Sequence, residues 1–397
     1  MVSNHKPKRI GILTSGGDCP GLNAVIRAVV KVATYKYGWE VYGIPYGTDG
    51  FIELLVGKRQ PEDLRIKEHG YDIPGLVQGL DILYFLSGSV LGSISKGDPE
   101  RHADDIIKGY EKLGLTALIV MGGDGSIEIL DGLAQKAADQ GALWNWVAIP
   151  KTIDNDIPFT EASVGFDTAV NRVTQALYDL TFTAASHDRV MIVQVMGRDS
   201  GYLAMEAGLA GGADAILIPE LTPVLNEEVI MGICRHIGQL QQNGRRFALV
   251  VIAEGVKNYL GQKEHYIGDY LACQVQECSN KLCDIDSSAT NHIYPFDTRV
   301  TVLGHVQRGG TPTSTDRLLA TAFGREAVDL IANGNYNQMV IWENGRVSSV
   351  PISRVIEQIK KGRRDKKAPS RVDPQGFLVR TARDIGIYVG EVSSDDQ

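Results

Sequence analysis

Six short, almost wholly apolar runs in this chain each end in a polar turn, and that repetition limits what the chain can fold into. They are residues 9–14 (RIGILT), 115–121 (LTALIVM), 146–149 (WVAI), 190–195 (VMIVQV), 213–218 (ADAILI) and 247–253 (FALVVIA). The polar stretches after them are SGGDCPG, GGDGS, PKTIDND, MGRDSG, Pro219-Glu220 and Glu254-Gly255. Helical patterns follow at 22–34, 127–138 and 202–210. A strand with one wet face alternates polar and apolar residues, whereas a strand covered on both faces is apolar throughout. Apolar strands alternating with helices therefore predict an α/β fold with parallel-rich sheets flanked by helices. In such sheets ligands bind beyond the carboxyl ends of the strands, and each of these polar motifs follows such an end.

Residues 9–24 (RIGILTSGGDCPGLNA) echo 189–204 (RVMIVQVMGRDSGYLA) at one offset, with Gly17 matching Gly197 and Gly21 matching Gly201. The echo suggests two similar lobes with a cleft between them, and 397 residues suffice for two domains. The expected division is 1–166 plus 307–350 for one lobe and 167–306 plus 351–397 for the other. Hydrophobic residues make up 43% and charged residues 22%, an ordinary globular balance. The net charge of -8 argues against general nucleic-acid binding, so an anionic ligand must be met by local arginines. No run approaches the roughly 18 apolar residues of a membrane span. The N-terminal MVSNHKPKRIGILTSGG has no apolar signal core. Five cysteines without paired CxxC spacing read as incidental thiols in a reduced, cytoplasmic chain. The basic segment 360–367 (KKGRRDKK) reads as a solvated linker.

The chemistry lies in the turns. In Ser15-Gly16-Gly17-Asp18, glycines let backbone N–H groups approach a phosphate where a helix begins. Gly122-Gly123-Asp124-Gly125-Ser126 repeats the layout with a carboxylate inside, which suits Mg²⁺ beside phosphate oxygens. Read as extended, IPKTIDNDIP would place Thr152, Asp154 and Asp156 on one side by strand alternation. Two glycine loops and paired aspartates suggest phosphoryl transfer, which needs positioning, a metal, positive charge and a base. Arg189, Arg198, Arg299 and Arg308 stand near glycines or strand ends, where guanidinium forks suit phosphate oxygens. Glu254 is placed to accept hydrogen bonds from sugar hydroxyls.

The segments TSGGDCPGLNA, MGGDGS, PKTIDNDI, VGFDTA, SHDR, VMGRDSG, IAEG and TRVTVLGHVQRGGTP together resemble the 6-phosphofructokinases, over about residues 8–332. The resemblance implies phosphorylation of the 1-hydroxyl of fructose 6-phosphate, the glycolytic step to fructose 1,6-bisphosphate. On it, Asp154 is the base, Thr152 bonds near the reacting phosphate and Arg198 stabilises its charge. Gly17 offers an N–H to the transferred group, and Asp124 holds Mg²⁺ with Asp156 assisting. Ser95, Lys96, Gly123, Asp124, Gly125 and Ser126 meet the nucleotide. Met196, Gly197, Glu254 and His305 line the sugar site, and Arg308 binds the 6-phosphate. Arg189 and Arg299 reach across from a neighbouring subunit, implying a homo-oligomer with shared sites, a tetramer or a dimer. Allosteric control is common in such enzymes, and Arg27 and Lys31 on the first helix are candidates to face an effector phosphate.

Family members use either ATP or pyrophosphate. Pyrophosphate users typically read GGDD, where the second aspartate occupies the place of the ATP α-phosphate. Gly125 stands there in this chain and favours ATP. Lys151, in KTIDND, matches the pyrophosphate pattern and keeps that donor as the alternative. The usual arginine near position 95 is replaced by Ser95-Lys96. Other kinases with a GGDG loop, such as NAD or diacylglycerol kinases, leave PKTIDND and GHVQRGG unexplained. A non-catalytic sugar-phosphate binder is expected to lose Asp124, Asp154 or Asp156, and all three are present.

Overall fold

Each of the six apolar runs forms a strand in the computed structural model, which describes residues 7–66, 79–93, 99, 101–285, 295–365 and 367–390. Among these residues the strands are β1 Arg9–Thr14, β2 Glu40–Ile44, β3 Ala117–Gly122, β4 Trp146–Pro150 and β5 Arg189–Val195. Then come β6 Ala215–Leu217, β7 Ala248–Ala253, β8 Asp297–Val302, β9 Gln338–Glu343 and β10 Arg346–Pro351. Every residue of β3, β4 and β7 is buried, as expected of strands covered on both faces.

The chain divides into two units. The first comprises residues 1–153, 157–168 and 308–369, and the second 154–156, 169–307 and 370–397. Residues 351–369 thus group with the first unit, not with the second as the sequence suggested. The helix Ile352–Arg364 is the reason. It follows β10 directly, and its buried Ile352, Val355, Ile356 and Ile359 join the core that holds Leu130 and Leu133. The basic segment is correspondingly no linker. Lys361, Arg363 and Arg364 form the last turn of that helix, where cations complement the negative end of the dipole.

The first unit carries a sheet in the order β10-β9-β4-β3-β1-β2, parallel except for the β9–β10 pair. Thr14 of β1 pairs with Met121 of β3, and Gly122 of β3 pairs with Pro150 of β4. The carboxyl ends of these three strands are therefore level, and the loops after them emerge side by side. From β1 the chain moves to β2 on one side, and from β3 to β4 on the other. The strand order reverses between β1 and β3, the place where such sheets form a ligand crevice.

The second unit has a parallel four-stranded sheet, β6-β7-β5-β8. Numbered within each unit, the orders are 4-3-1-2 for the first four strands and 2-3-1-4 for the second four. The internal echo thus extends to a shared pairing of third with first strand, while the outer positions are exchanged. Among the described residues no helix is long and apolar enough to cross a membrane.

Behind the first glycine loop sits a fully buried carboxylate, Asp316. It accepts hydrogen bonds from the Gly165 N–H (2.9 Å), the Thr168 N–H (2.8 Å) and the Thr168 hydroxyl. Burial pushes its pKa up to about 6. Asp316→Asn would aim an amide donor at other donors, and we expect it to cost about 2–4 kcal/mol of unfolding free energy in urea titrations. The folded pKa lies above the roughly 3.9 of an unfolded aspartate, so the fold favours the neutral acid. That contribution is complete below about pH 4 and is lost as pH rises through about 6. The stability gap between the two proteins should therefore narrow from pH 4.5 to 7 on the order of one to a few kcal/mol; a constant gap contradicts this assignment.

Candidate active site

The first unit gathers three of the sequence motifs around one loop. Gly16 takes φ = 81°, and Gly21, preceding the helix Leu22–Tyr37, takes φ = 96°. A Cβ on Gly16 would lie 3.1 Å from Ser126 Oγ and 3.5 Å from Lys151 Nζ. Both glycine loops and the lysine after β4 therefore converge where the strand order reverses. Lys151 is buried, and its ammonium donates to the Gly17 carbonyl. The Ser93 hydroxyl donates to the Gly16 carbonyl, and Ser89 and Thr14 share a hydrogen bond of 2.9 Å. Arg308 Nη1 donates to the Asp18 carbonyl at 2.9 Å and would lie 2.7 Å from a Cβ on Gly17. Three carbonyls of the loop, those of Gly16, Gly17 and Asp18, are thus braced by side-chain donors, while the Ser15 N–H bonds the Met121 carbonyl at 3.0 Å.

Cys19, inside this loop, is no nucleophile. Burial pushes its pKa up to about 12, and its thiol donates to the Val164 carbonyl at 3.2 Å. Gly122-Gly123-Asp124 differs from the sequence reading in one respect. The helix begins at Asp124, two residues after β3 ends and three before the expected start, with Gly123 as its N-cap. Asp124, Gly125 and Ser126 are its first three residues, where N–H groups lack intrahelical acceptors and the dipole favours anions. Ser95 and Lys96 lie outside the described residues.

The alternation expected for PKTIDNDI does not hold. β4 ends at Pro150, Lys151 makes an isolated bridge to Val164, and Asn155 takes φ = 50°. Pleating therefore cannot align Thr152, Asp154 and Asp156. Asparagine is one of the few residues that adopts the left-handed region readily, and it lets this segment turn. Asp154 and Asp156 are both buried.

In the second unit, Arg198 Nε stands 3.6 Å from Asp154 Oδ2, and the Ser200 hydroxyl donates to the Asp154 carbonyl at 3.1 Å. Arg198 takes φ = 53°, a conformation held in place when its N–H donates to Glu254 Oε1 at 3.0 Å. Gly255 is required here, because a Cβ would meet the Arg198 carbonyl at 2.0 Å. The Met196 N–H donates to Gln307 Oε1 (3.2 Å), whose amide donates to the Gly304 carbonyl (2.9 Å). Buried Gln307 thereby ties the Met196-Gly197 turn to the short helix Gly304–Arg308 that carries exposed His305. A cavity of about 440 Å³ is lined by Arg198, Asp199, Glu254, Lys263, Glu264 and His265. Lys263 pairs with Asp199 at 2.7 Å. The sequence reading missed Lys263, Glu264 and His265, which come from an irregular segment outside the glycine motifs.

Two predicted arginines stand elsewhere. Arg189 begins β5, and Arg299 lies within β8 and not in a loop; both engage Asp297. Six residue steps along β5 separate Arg189 from Val195, roughly 20 Å at about 3.3 Å per step. Arg189 thus occupies the end of this sheet remote from Arg198, and Arg299, paired with Met191, lies two residues further along on the edge strand. Arg27 and Lys31 converge on one carboxylate oxygen of Asp81, at 2.6 and 2.9 Å, and hold its pKa below the usual range.

The phosphofructokinase family model matches residues 9–331. This chain belongs to the phosphofructokinase family. It is 50% identical over 396 residues to "ATP-dependent 6-phosphofructokinase 2" of Nostoc sp., covering 97% of this chain and 99% of that one. The crystal structure of Pichia pastoris phosphofructokinase in the T-state superposes with a TM-score of 0.72 at 30% identity. That match covers 92% of this phosphofructokinase-family chain but spans only 39% of the longer yeast chain. A pyrophosphate-dependent phosphofructokinase from Nitrosospira multiformis gives a TM-score of 0.74 at 18% identity, covering 98% of this chain and 93% of the other. At that identity the likeness concerns the fold alone.

Proposed function

We infer that this chain transfers the terminal phosphoryl group of ATP to the 1-hydroxyl of fructose 6-phosphate, giving fructose 1,6-bisphosphate. The observation that carries this reading is the meeting of the two glycine loops, with Gly16 against Ser126 and with Gly125 one residue into the helix. The name of the Nostoc relative agrees with ATP as donor. Lys151 kept pyrophosphate open on sequence, but its bond to the Gly17 carbonyl gives it work that no particular donor requires.

In this reading Asp154 takes the proton from the sugar hydroxyl as that oxygen attacks the γ-phosphorus. The bond to the ADP oxygen breaks as the new O–P bond forms. Arg198, beside Asp154, meets the charge on the equatorial oxygens, and the Gly17 N–H and the Thr152 hydroxyl support the same group. Glu254, Met196, Gly197 and His305 hold the sugar. Asp124 and Asp156 would hold Mg²⁺, which supplies charge compensation at the donor's phosphate oxygens. Among the described residues no group of three His, Cys, Asp or Glu side chains could cage a metal. Mg²⁺ usually takes one or two carboxylates and completes its shell with phosphate and water.

The placement of Arg189 at the far end of its sheet and of exposed Arg299 on the edge strand β8 supports a role in a neighbouring subunit's site, and hence a homo-oligomer; a monomer by sedimentation at assay concentration would contradict it. The cytoplasm, where ATP and the sugar phosphate are both at hand, is the compartment this reading implies.

Arg308 is assigned to the 6-phosphate. We expect Arg308→Ala to raise the KM for fructose 6-phosphate by on the order of 10–100-fold and that for ATP far less. Initial-rate kinetics with each substrate varied checks this. Equal increases would instead tie Arg308 to the donor through its contact with the Gly17-Asp18 loop.

A further inference from the structure

The family match ends at residue 331, yet a side chain from beyond it reaches the proposed nucleotide loop. The helix Ile352–Arg364 packs its apolar side into the core shared with the helix Asp124–Asp139. Its last turn brings Arg363 alongside the first turn of that second helix. Arg363 Nη1 pairs with Glu128 Oε2, and Nη2 would lie 4.0 Å from a Cβ on Gly125. Glu128 stands three residues after Gly125, on the same helix face. The carboxylate therefore orients the guanidinium with one amino group turned toward the helix start. The arginine side chain is 52% exposed, so this group is open to a ligand.

A guanidinium has five donors in a rigid plane, so it can hold a carboxylate with one part and a phosphate with another. Beside a helix N-terminus its charge adds to the field of the unpaired N–H groups. We propose that Arg363 is a donor-specificity residue, hydrogen-bonding the ATP phosphate that lies over Gly125. The proposal rests on the reading of the helix start at Gly123–Ser126 as the nucleotide site, and it assigns part of donor recognition to the C-terminal segment.

Three variants test it: Arg363→Met, Arg363→Lys and Glu128→Gln. Calorimetric binding of MgATP is measured alongside the KM for each substrate. Arg363→Met should weaken ATP binding about tenfold, the loss of one charge-assisted hydrogen bond, while the KM for fructose 6-phosphate stays within about twofold. Arg363→Lys should recover part of the loss. Glu128→Gln keeps an oxygen that can accept from the guanidinium and so preserve its orientation, but removes a negative charge near the phosphates, so ATP affinity should be kept or improved. Unchanged ATP binding in Arg363→Met overturns the proposal. So does an equal loss in Arg363→Met and Glu128→Gln, which would mean that the pair only fastens two helices. Absence of ATP binding in the wild type would instead refute the functional reading itself, and the proposal with it.

Discussion

Asp154→Ser should lower kcat by on the order of 10³-fold, the range lost when a positioned general base is removed. The substitution is well placed to isolate chemistry from folding. Arg198 is mostly exposed, so losing its carboxylate neighbour leaves a hydrated cation and not a buried one. Ser200 holds residue 154 through the backbone carbonyl, and that bond survives any side-chain change. The KM for fructose 6-phosphate and the midpoint of thermal unfolding should therefore change little. Turnover within tenfold of wild type would remove Asp154 from the role of base. A large rise in KM at constant kcat would make it a binding residue.

Gly125→Asp should reduce kcat/KM for ATP by at least about 10²-fold, because like charges brought together in a binding site cost several kcal/mol. The fold has room for the side chain. Arg363 Nη2, at 4.0 Å, is the nearest atom to a Cβ there, and an acidic residue in the first turn of a helix is favourable. Lost ATP use would therefore not reflect misfolding, and urea unfolding should show stability equal to or above wild type. Arg363 would pair with the new carboxylate and offset part of the repulsion, so the double variant with Arg363→Met should be the more impaired. Undiminished ATP-dependent turnover in Gly125→Asp would remove the argument that glycine at this position selects the nucleotide.

The strands that carry the site were legible because burial on both faces leaves an unmistakable apolar run, as in β3 and β7. Strands with wet residues were not. β8 is an edge strand with an exposed arginine, and β10 alternates exposed and half-buried positions. The GGDG motif was legible as a turn after β3, but its glycines obscured the helix that starts at Asp124. Glycine is a poor helix former, and only the packing of that helix overrides its preference. Alternation failed at IPKTIDNDIP because one asparagine in the left-handed region turns the segment, which no pattern of polar and apolar residues records. Arg363 was legible only as one cation in a basic run. Its place beside Gly125 arises from a contact spanning over two hundred residues of chain.

The most direct test offers fructose 6-phosphate and Mg²⁺ with ATP or pyrophosphate in parallel reactions, following phosphorylation of the sugar by ³¹P NMR. The account predicts fructose 1,6-bisphosphate and ADP with ATP, and a rate with pyrophosphate lower by on the order of 10²-fold or more, since most of the donor contacts would go unused. Equal or faster turnover with pyrophosphate, or no phosphorylation at the 1-hydroxyl with either donor, would contradict it.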